Sequence, residues 1–385
     1  MFKQTSRKSL CILLLVAVTL SLGLLSSRAK AETQATGWKL QQVDKNGRGR
    51  AALALDTSSR PHVAYYGADN LGQHGLKYAF FDGTTWNIEM VDSNTNAAYT
   101  SIAVDRLDRP QIVYYDSRSK DLQYAIFDID WALSVIDSSG DVGRSPDIQV
   151  DSLSLPHVAY WDATNEAVKY AWFDGTTWNK STVDDMSDCN GYAPTISLAL
   201  GPSDQPYISY SSCKTFKLKY AYKSSGGWVS KVVDPNSENV HYSDIAVDSE
   251  GGIHIGYRSR GLKYAYKKGS GWSFLSVDGN FLAGNFISIG IDSSFRPHFS
   301  YTRTTRDGEE ELRHAYNDGF GWKSEKLLVH SDLHSFDNTS LVVSSKDKLF
   351  LAFWDGEAND VEYATSKVQF TIVHVYLPFT LSVHK

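Results

Sequence analysis

Short runs in which apolar and polar residues alternate recur along the chain, separated by clusters of Asp, Ser, Gly and Pro. Ser101–Asp137 shows the unit: SIAVD, a turn, PQIVYYD, a polar loop, LQYAIFD, a short turn, then WALSVID. Runs of this length, rich in Val, Ile, Tyr and Trp, predict β-strands, and the clusters between them predict turns. One unit is therefore four antiparallel strands, a to d.

The unit repeats over the chain. The last aromatic of strand b falls at Tyr65, Tyr114, Tyr160, Tyr210, Tyr257, Tyr301 and Phe353, spaced by 49, 46, 50, 47, 44 and 52 residues. Strand c repeats as Tyr78-Ala79, Tyr124-Ala125, Tyr170-Ala171, Tyr220-Ala221, Tyr264-Ala265, His314-Ala315 and Tyr363-Ala364. Four-stranded units of this period are propeller blades, because so small a sheet covers both faces only by stacking on its neighbours. The pattern predicts an all-β, seven-bladed β-propeller. Strand d opens with Trp86, Trp131, Trp178, Trp228, Trp272 and Trp322, and the seventh copy is missing after Tyr363-Ala364. It stands at the other end of the chain, in Trp38–Asp44, so the N-terminal strand is expected to close the ring and cover an otherwise open edge. In the competing layout the tail, Gln369–Leu381, supplies that strand.

The chain ends change the charge and the compartment. Lys3, Arg7 and Lys8 precede an apolar run from Leu10 to Leu25, and Ala29-Lys30-Ala31 has the small residues of a cleavage site. Residues 1–31 read as a signal peptide cleaved after Ala31, with an uncleaved anchor as the alternative. Residues 32–367 are then a secreted, extracellular propeller, and 368–385 an apolar tail that Pro378 leaves too short to span a membrane. Residues 1–31 carry five Lys/Arg and no acid, so their removal takes the net charge from −6 to −11. That charge, without a basic stripe, argues against nucleic acid as a partner.

Faces follow from strand direction. The d–a and b–c loops share the top face, where Cys189 and Cys213 both fall, on blade four. Export favours a disulfide between them, closing a loop worth about 3 kcal/mol in chain entropy. A residue copied in every blade reads as packing, so the strand-d Trp and the strand-b and strand-c Tyr are scaffold. His62, His157, His254 and His298 share one position of strand b and are too far apart around a ring to ligate one ion. They read as structural histidines bridging neighbouring blades. Arg60, Arg109 and Arg296 read as turn residues. Asp82-Gly83-Thr-Thr-Trp86 and Asp174-Gly175-Thr-Thr-Trp178 partly resemble an Asp-box, and a tight hairpin explains them equally. Asp92-Ser-Asn and Asp184-Asp185 are calcium-like or ordinary turns; no cofactor and no metal ligand set is assigned.

The residues that end strand b vary, and this marks a working position. They are Tyr66-Gly67, Tyr115-Asp116, Trp161-Asp162, Ser211-Ser212, Arg258-Ser259, Thr302-Arg303 and Trp354-Asp355. Blades seven, one, two and three are adjacent and aromatic here, and Asp116, Asp162 and Asp355 add carboxylates. An aromatic face beside a hydrogen-bond acceptor suits a sugar. Arg258 and Arg303, with Arg306 and Glu309–Glu311, make the opposite arc basic and a candidate anion site. The competing reading is that both arcs are solvated loop ends.

The consensus (S/D)-I-A-V-D … P-H-V-A-Y-(Y/W)-D … L-K-Y-A-(F/Y) … G-x-x-W-x-x-x-x-V-D, over residues 38–366, resembles repeats of secreted bacterial propellers related to the fucose-specific-lectin and sialidase-like superfamilies. That resemblance implies sugar pockets between blades built from Trp or Tyr with charged partners, roles that Tyr115, Asp116, Trp161, Asp162, Trp354 and Asp355 would fill. It implies a non-catalytic carbohydrate-binding module. A glycoside hydrolase, sialidase-like or with paired carboxylates, and a protein-docking ring are the alternatives.

Overall fold

A computed structural model describes residues 37–187, 189, 191–331 and 336–367. The signal peptide assigned to residues 1–31 and the tail assigned to 368–385 lie outside the described residues. The compact unit that holds residues 37–367 is seven four-stranded antiparallel sheets, each in the order a-b-c-d. The first six blades take consecutive strands. The seventh is built from Phe336–Val343, Leu349–Asp355 and Asp360–Ser366, and its outer strand is Trp38–Asp44, paired from Trp38 against Ser366 to Asp44 against Val361. The N-terminal strand therefore closes the ring.

The hydrophobic core is divided into seven layers, each between two adjacent blades. Every strand-d Trp meets a strand-c ring of the blade before it, edge to face, with centroids 5.1–5.6 Å apart; Tyr78–Trp131 and Tyr124–Trp178 are examples, and Trp38–His314 and Trp86–Tyr363 carry the pattern through the closure. Such contacts add to the area buried by each ring.

A second contact crosses the same layers. The strand-b Tyr hydroxyl donates to the Asp that ends strand d of the preceding blade: Tyr65 to Asp44, Tyr114 to Asp92, Tyr160 to Asp137, Tyr210 to Asp184, Tyr257 to Asp234 and Tyr301 to Asp278, at 2.7–2.9 Å. Blade seven has Phe353 in place of Tyr, and the position it faces is Leu328 in place of Asp. Donor and acceptor are exchanged for apolar groups together, so no polar atom is stranded.

The histidines differ from the expectation. His62 Nδ1 faces the Tyr78 hydroxyl at 2.5 Å and its Nε2 faces Asp56 at 3.6 Å, all within one blade. His157 with Asp151 and Tyr170, and His254 with Asp248 and Tyr264, repeat the arrangement. They tie the a–b turn to strand c of their own blade instead of bridging blades. Burial presses the His62 pKa down to about 4, so the neutral ring can accept from Tyr78 while its Nε2 only approaches Asp56. Arg60, Arg109 and Arg296 bond the Asp of the same turn at 2.6–2.8 Å, as turn residues. Asp82 accepts the amides of Thr84 and Thr85, and Asp174 those of Thr176 and Thr177, so each carboxylate caps a hairpin. Cys189 and Cys213 form the disulfide, with Cα atoms 4.9 Å apart.

Candidate functional site

The aromatic residues that end strand b do not form one plate. Strand alternation turns their rings into different inter-blade layers. Trp161 is 1% exposed, packed with Met186, Ile196 and the Cys189–Cys213 pair between blades three and four. Tyr115 is buried; its hydroxyl donates to Asp141 at 2.9 Å and the Arg144 guanidinium lies 5.7 Å from its ring. Tyr66, half-buried, stacks on His74, and Trp354 packs into the layer between blades seven and one. The ring faces of Trp161 and Tyr115 that the sugar reading needed are covered by protein.

The three carboxylates are occupied by their own loops. Asp116 accepts the amides of Asn96 and Arg118, Asp162 those of Thr164 and Asn165, and Asp355 those of Glu357 and Ala358. All three are buried, with the turn amides pointing at them. They fix the b–c loops, which corrects their assignment as free acceptors for sugar hydroxyls. Arg303 is neutralised by Glu311 at 2.6 Å and Asp278 at 3.3 Å, and Arg313 shares Glu311. The arginine arc therefore does not converge: among the described residues Arg258 is its half-buried member that pairs with no acid, bonding Asn285 instead.

A different set of side chains gathers at the top of the axis. Strand a enters from the top face, and its ladder with strand b shifts near that end in several blades, between Arg144 and Asp147, Asn285 and Ser288, and Asp337 and Thr339. Such bulges re-aim side chains. At Gly143, φ is +103° and a Cβ would fall 2.7 Å from Leu122 Cα, so only glycine serves there. The position that results is Arg50, Tyr99, Ser145, Thr195, Tyr242, Phe286 and Asn338, one residue per blade, lining the mouth of an axial cavity of about 260 Å³. The Arg50 guanidinium lies over the Tyr99 ring at 4.4 Å, and Tyr242 and Phe286 meet at 5.0 Å. Phe286 holds φ +47°, a left-handed conformation that is strained for a bulky residue. Beside them Tyr192 reaches His241 Nδ1 and Ser211 Oγ, both at 3.2 Å, and Phe216 packs on Tyr192 and His241. Burial, with Arg258 nearby, lowers the His241 pKa and keeps it neutral.

This mouth stands on a nearly constant ring two residues further along strand a: Ala52, Ser101, Asp147, Ser197, Asp244, Ser288 and Ser340. Each polar member accepts the amide of the next blade, as in Ile148 to Ser101 (3.3 Å), Leu198 to Asp147 (2.7 Å), Ile289 to Asp244 (2.7 Å) and Leu53 to Ser340 (3.0 Å). The sequence shows both tiers. The (S/D)-I-A-V-D run marks the constant ring, and the variable residue two places before it marks the working one.

The two axial acids make stability pH-dependent. Desolvation first, then the nearby Asp244 charge, raises the Asp147 pKa to about 7, and desolvation raises Asp244 as well. Folded Asp147 thus holds a proton between pH 4 and 7 that the unfolded chain has released, so its contribution is full below pH 4 and is lost as pH rises through 7. A shift of this size corresponds to about 4 kcal/mol; Asp147 is only partly buried on the cavity wall, and the screening this allows leaves about 2 kcal/mol. His62 and His314, both pressed to about 4, act with the opposite sign over the same range. The quantity to read is therefore a difference: Asp147→Asn should gain about 2 kcal/mol on wild type between pH 4 and 8 in paired denaturant melts. A constant difference across that range would show that Asp147 is ionised throughout.

The fold matches solved propeller structures. An ulvan lyase, from a new family of polysaccharide lyases, superposes with a TM-score of 0.61 over 84% of this chain and 95% of its own, at 10% identity. AofleA from Arthrobotrys oligospora gives 0.53 over 77% and 92%, at 14% identity. A mutant of the Aleuria aurantia lectin, solved with α-methyl-L-fucoside, gives 0.48 over 74% and 96%, at 13% identity. No protein-family model and no curated protein matches the sequence. At 10–14% identity the ulvan lyase and AofleA structures show that this chain shares the propeller architecture. Among the described residues no helix is long and apolar enough to cross a membrane.

Proposed function

We propose that the protein is a secreted carbohydrate-binding propeller whose ligand sits in the mouth of the axial cavity. One observation carries this reading: the tier of Arg50, Tyr99, Tyr242, Phe286 and Asn338 varies from blade to blade, stays half-exposed, and stands on a tier that hardly varies. Aromatic rings on the cavity wall cover the C–H surface of a sugar, while Asn338, Thr195 and the Tyr hydroxyls supply donors and acceptors. The backbone strain at Phe286 supports it, since a large side chain at positive φ persists where it does something packing alone does not require.

Phe286→Gly separates the two roles. Glycine relieves the left-handed backbone while removing the ring. The variant is expected to unfold within about 1 kcal/mol of wild type and to lose glycan affinity at least tenfold, read on a glycan array and by titration calorimetry. Unchanged binding would remove the ring from the site. Free sugar should be assayed in the same samples; its release would make the protein a glycoside-acting enzyme instead of a lectin.

A further inference from the structure

We propose that the bound glycan carries an anionic group, a carboxylate or a sulfate, received by the guanidinium of Arg258 beside the mouth, with Arg50 in the lining of the mouth itself; the inference rests on the carbohydrate reading above. Among the described residues, Arg258 is the one arginine shielded from bulk solvent that faces no carboxylate. Arg50 has Asp337, Arg144 has Asp141, and Arg303 and Arg313 have Glu311. On the bottom face Arg60, Arg109 and Arg296 each have the Asp of their turn. Arg258 instead donates to the neutral amide oxygen of Asn285, next to the strained Phe286.

A half-buried cation without a counter-charge is costly, and burial pulls the Arg258 pKa down accordingly. The protein as a whole is acidic, at −6, so a local carboxylate would have been easy to supply. Its omission at this one guanidinium is what a site for an exogenous anion requires, because the planar fork matches a carboxylate or sulfate in two bonds. Location agrees. Arg258 bonds Asn285, the chain neighbour of Phe286 in the mouth, so its guanidinium stands beside the rim, next to the residues that line the cavity. Arg50 lies over the Tyr99 ring and meets Asp337 only at 3.7 Å, too long for a hydrogen bond.

The test compares three glycans on the full chain by titration calorimetry: alginate oligosaccharides, which carry only carboxylates; dextran sulfate oligosaccharides, which carry only sulfates; and neutral dextran oligosaccharides. Wild type should bind one anionic series at least tenfold more tightly than dextran, and which series wins identifies the group. Arg258→Gln should abolish that preference, since a charge-assisted bond carries roughly a 10- to 100-fold affinity. Its melting midpoint should stay equal to wild type or rise, because an unpaired buried charge is removed. Arg258→Lys should keep part of the preference. Equal binding of neutral and anionic glycans, unaffected by Arg258→Gln, overturns the anion inference and leaves the carbohydrate reading standing. A fall in melting midpoint with the preference intact makes Arg258 structural and also overturns it. Failure to bind any glycan, including the neutral arm and the array, overturns both.

Discussion

Removing residues 32–44 is expected to abolish the cooperative fold. The deletion takes away the outer strand of blade seven and three sets of contacts with it. Trp38, 1% exposed, leaves the layer against His314 and Leu328, and its indole N–H no longer donates to Glu325 at 2.8 Å. Val43 leaves the opposite layer. Asp44 leaves Tyr65 and Lys77, and Lys77 is then a buried ammonium without its counter-charge, holding only the Ala68 carbonyl. Truncating a buried Trp costs about 3–5 kcal/mol, and orphaning a buried ion costs about 3–5 more. Their sum is comparable with the roughly 5–15 kcal/mol that holds a domain together. Circular dichroism melts of the truncated protein should show loss of the transition or a midpoint lower by more than 15 °C on the scale of roughly 2–4 °C per kcal/mol. Asp44→Ala isolates the charge component and should cost about 3 kcal/mol. An unchanged midpoint on deletion would mean that another segment closes the ring.

The closure was legible because a strict repeat makes an omission visible. Six Trp for seven units, with a seventh at the opposite end, favours the N-terminal strand over the tail as the closing strand, and the pairing of Trp38–Asp44 with Asp360–Ser366 decides it. The scaffold tyrosines were legible on the same principle, since equal registers share one environment, and the disulfide because both cysteines fall on the top face of blade four. The joint change of Tyr to Phe at 353 and Asp to Leu at 328 shows how far such internal comparison reaches. It also reaches the site, but at a different strand. Attention to the end of strand b singled out Tyr66, Tyr115, Trp161 and Trp354, where aromatic content is high. Whether a ring there faces solvent depends on the blade that stacks above it, and period alone does not carry that information. The mouth residues sit behind bulges in strand a, and a bulge shifts the alternation by one. A period-2 reading therefore loses phase just before the constant Ser or Asp. Only the contrast between neighbouring tiers, Arg50 to Asn338 variable and Ser101 to Ser340 constant, remains as a sequence signal.

Trp161→Ala distinguishes these two positions directly. A ligand plate loses affinity and keeps its stability when truncated; a core residue does the reverse. Trp161 fills the layer between blades three and four, against Tyr170, Val183, Met186 and Ile196, and its neighbours are pinned by the disulfide, which limits how far the site can collapse. A cavity that cannot relax costs the upper part of the range, about 3–5 kcal/mol. The midpoint should fall by roughly 5–15 °C, while glycan affinity measured well below the transition should change less than twofold, because Trp161 lies in an inter-blade layer and not among the residues that line the mouth. Replacement by Phe, which keeps an aromatic in the layer, should restore more than half of the loss. If affinity collapsed and the midpoint held, the ligand would have to reach between blades three and four, and the binding site would move from the axis to that seam.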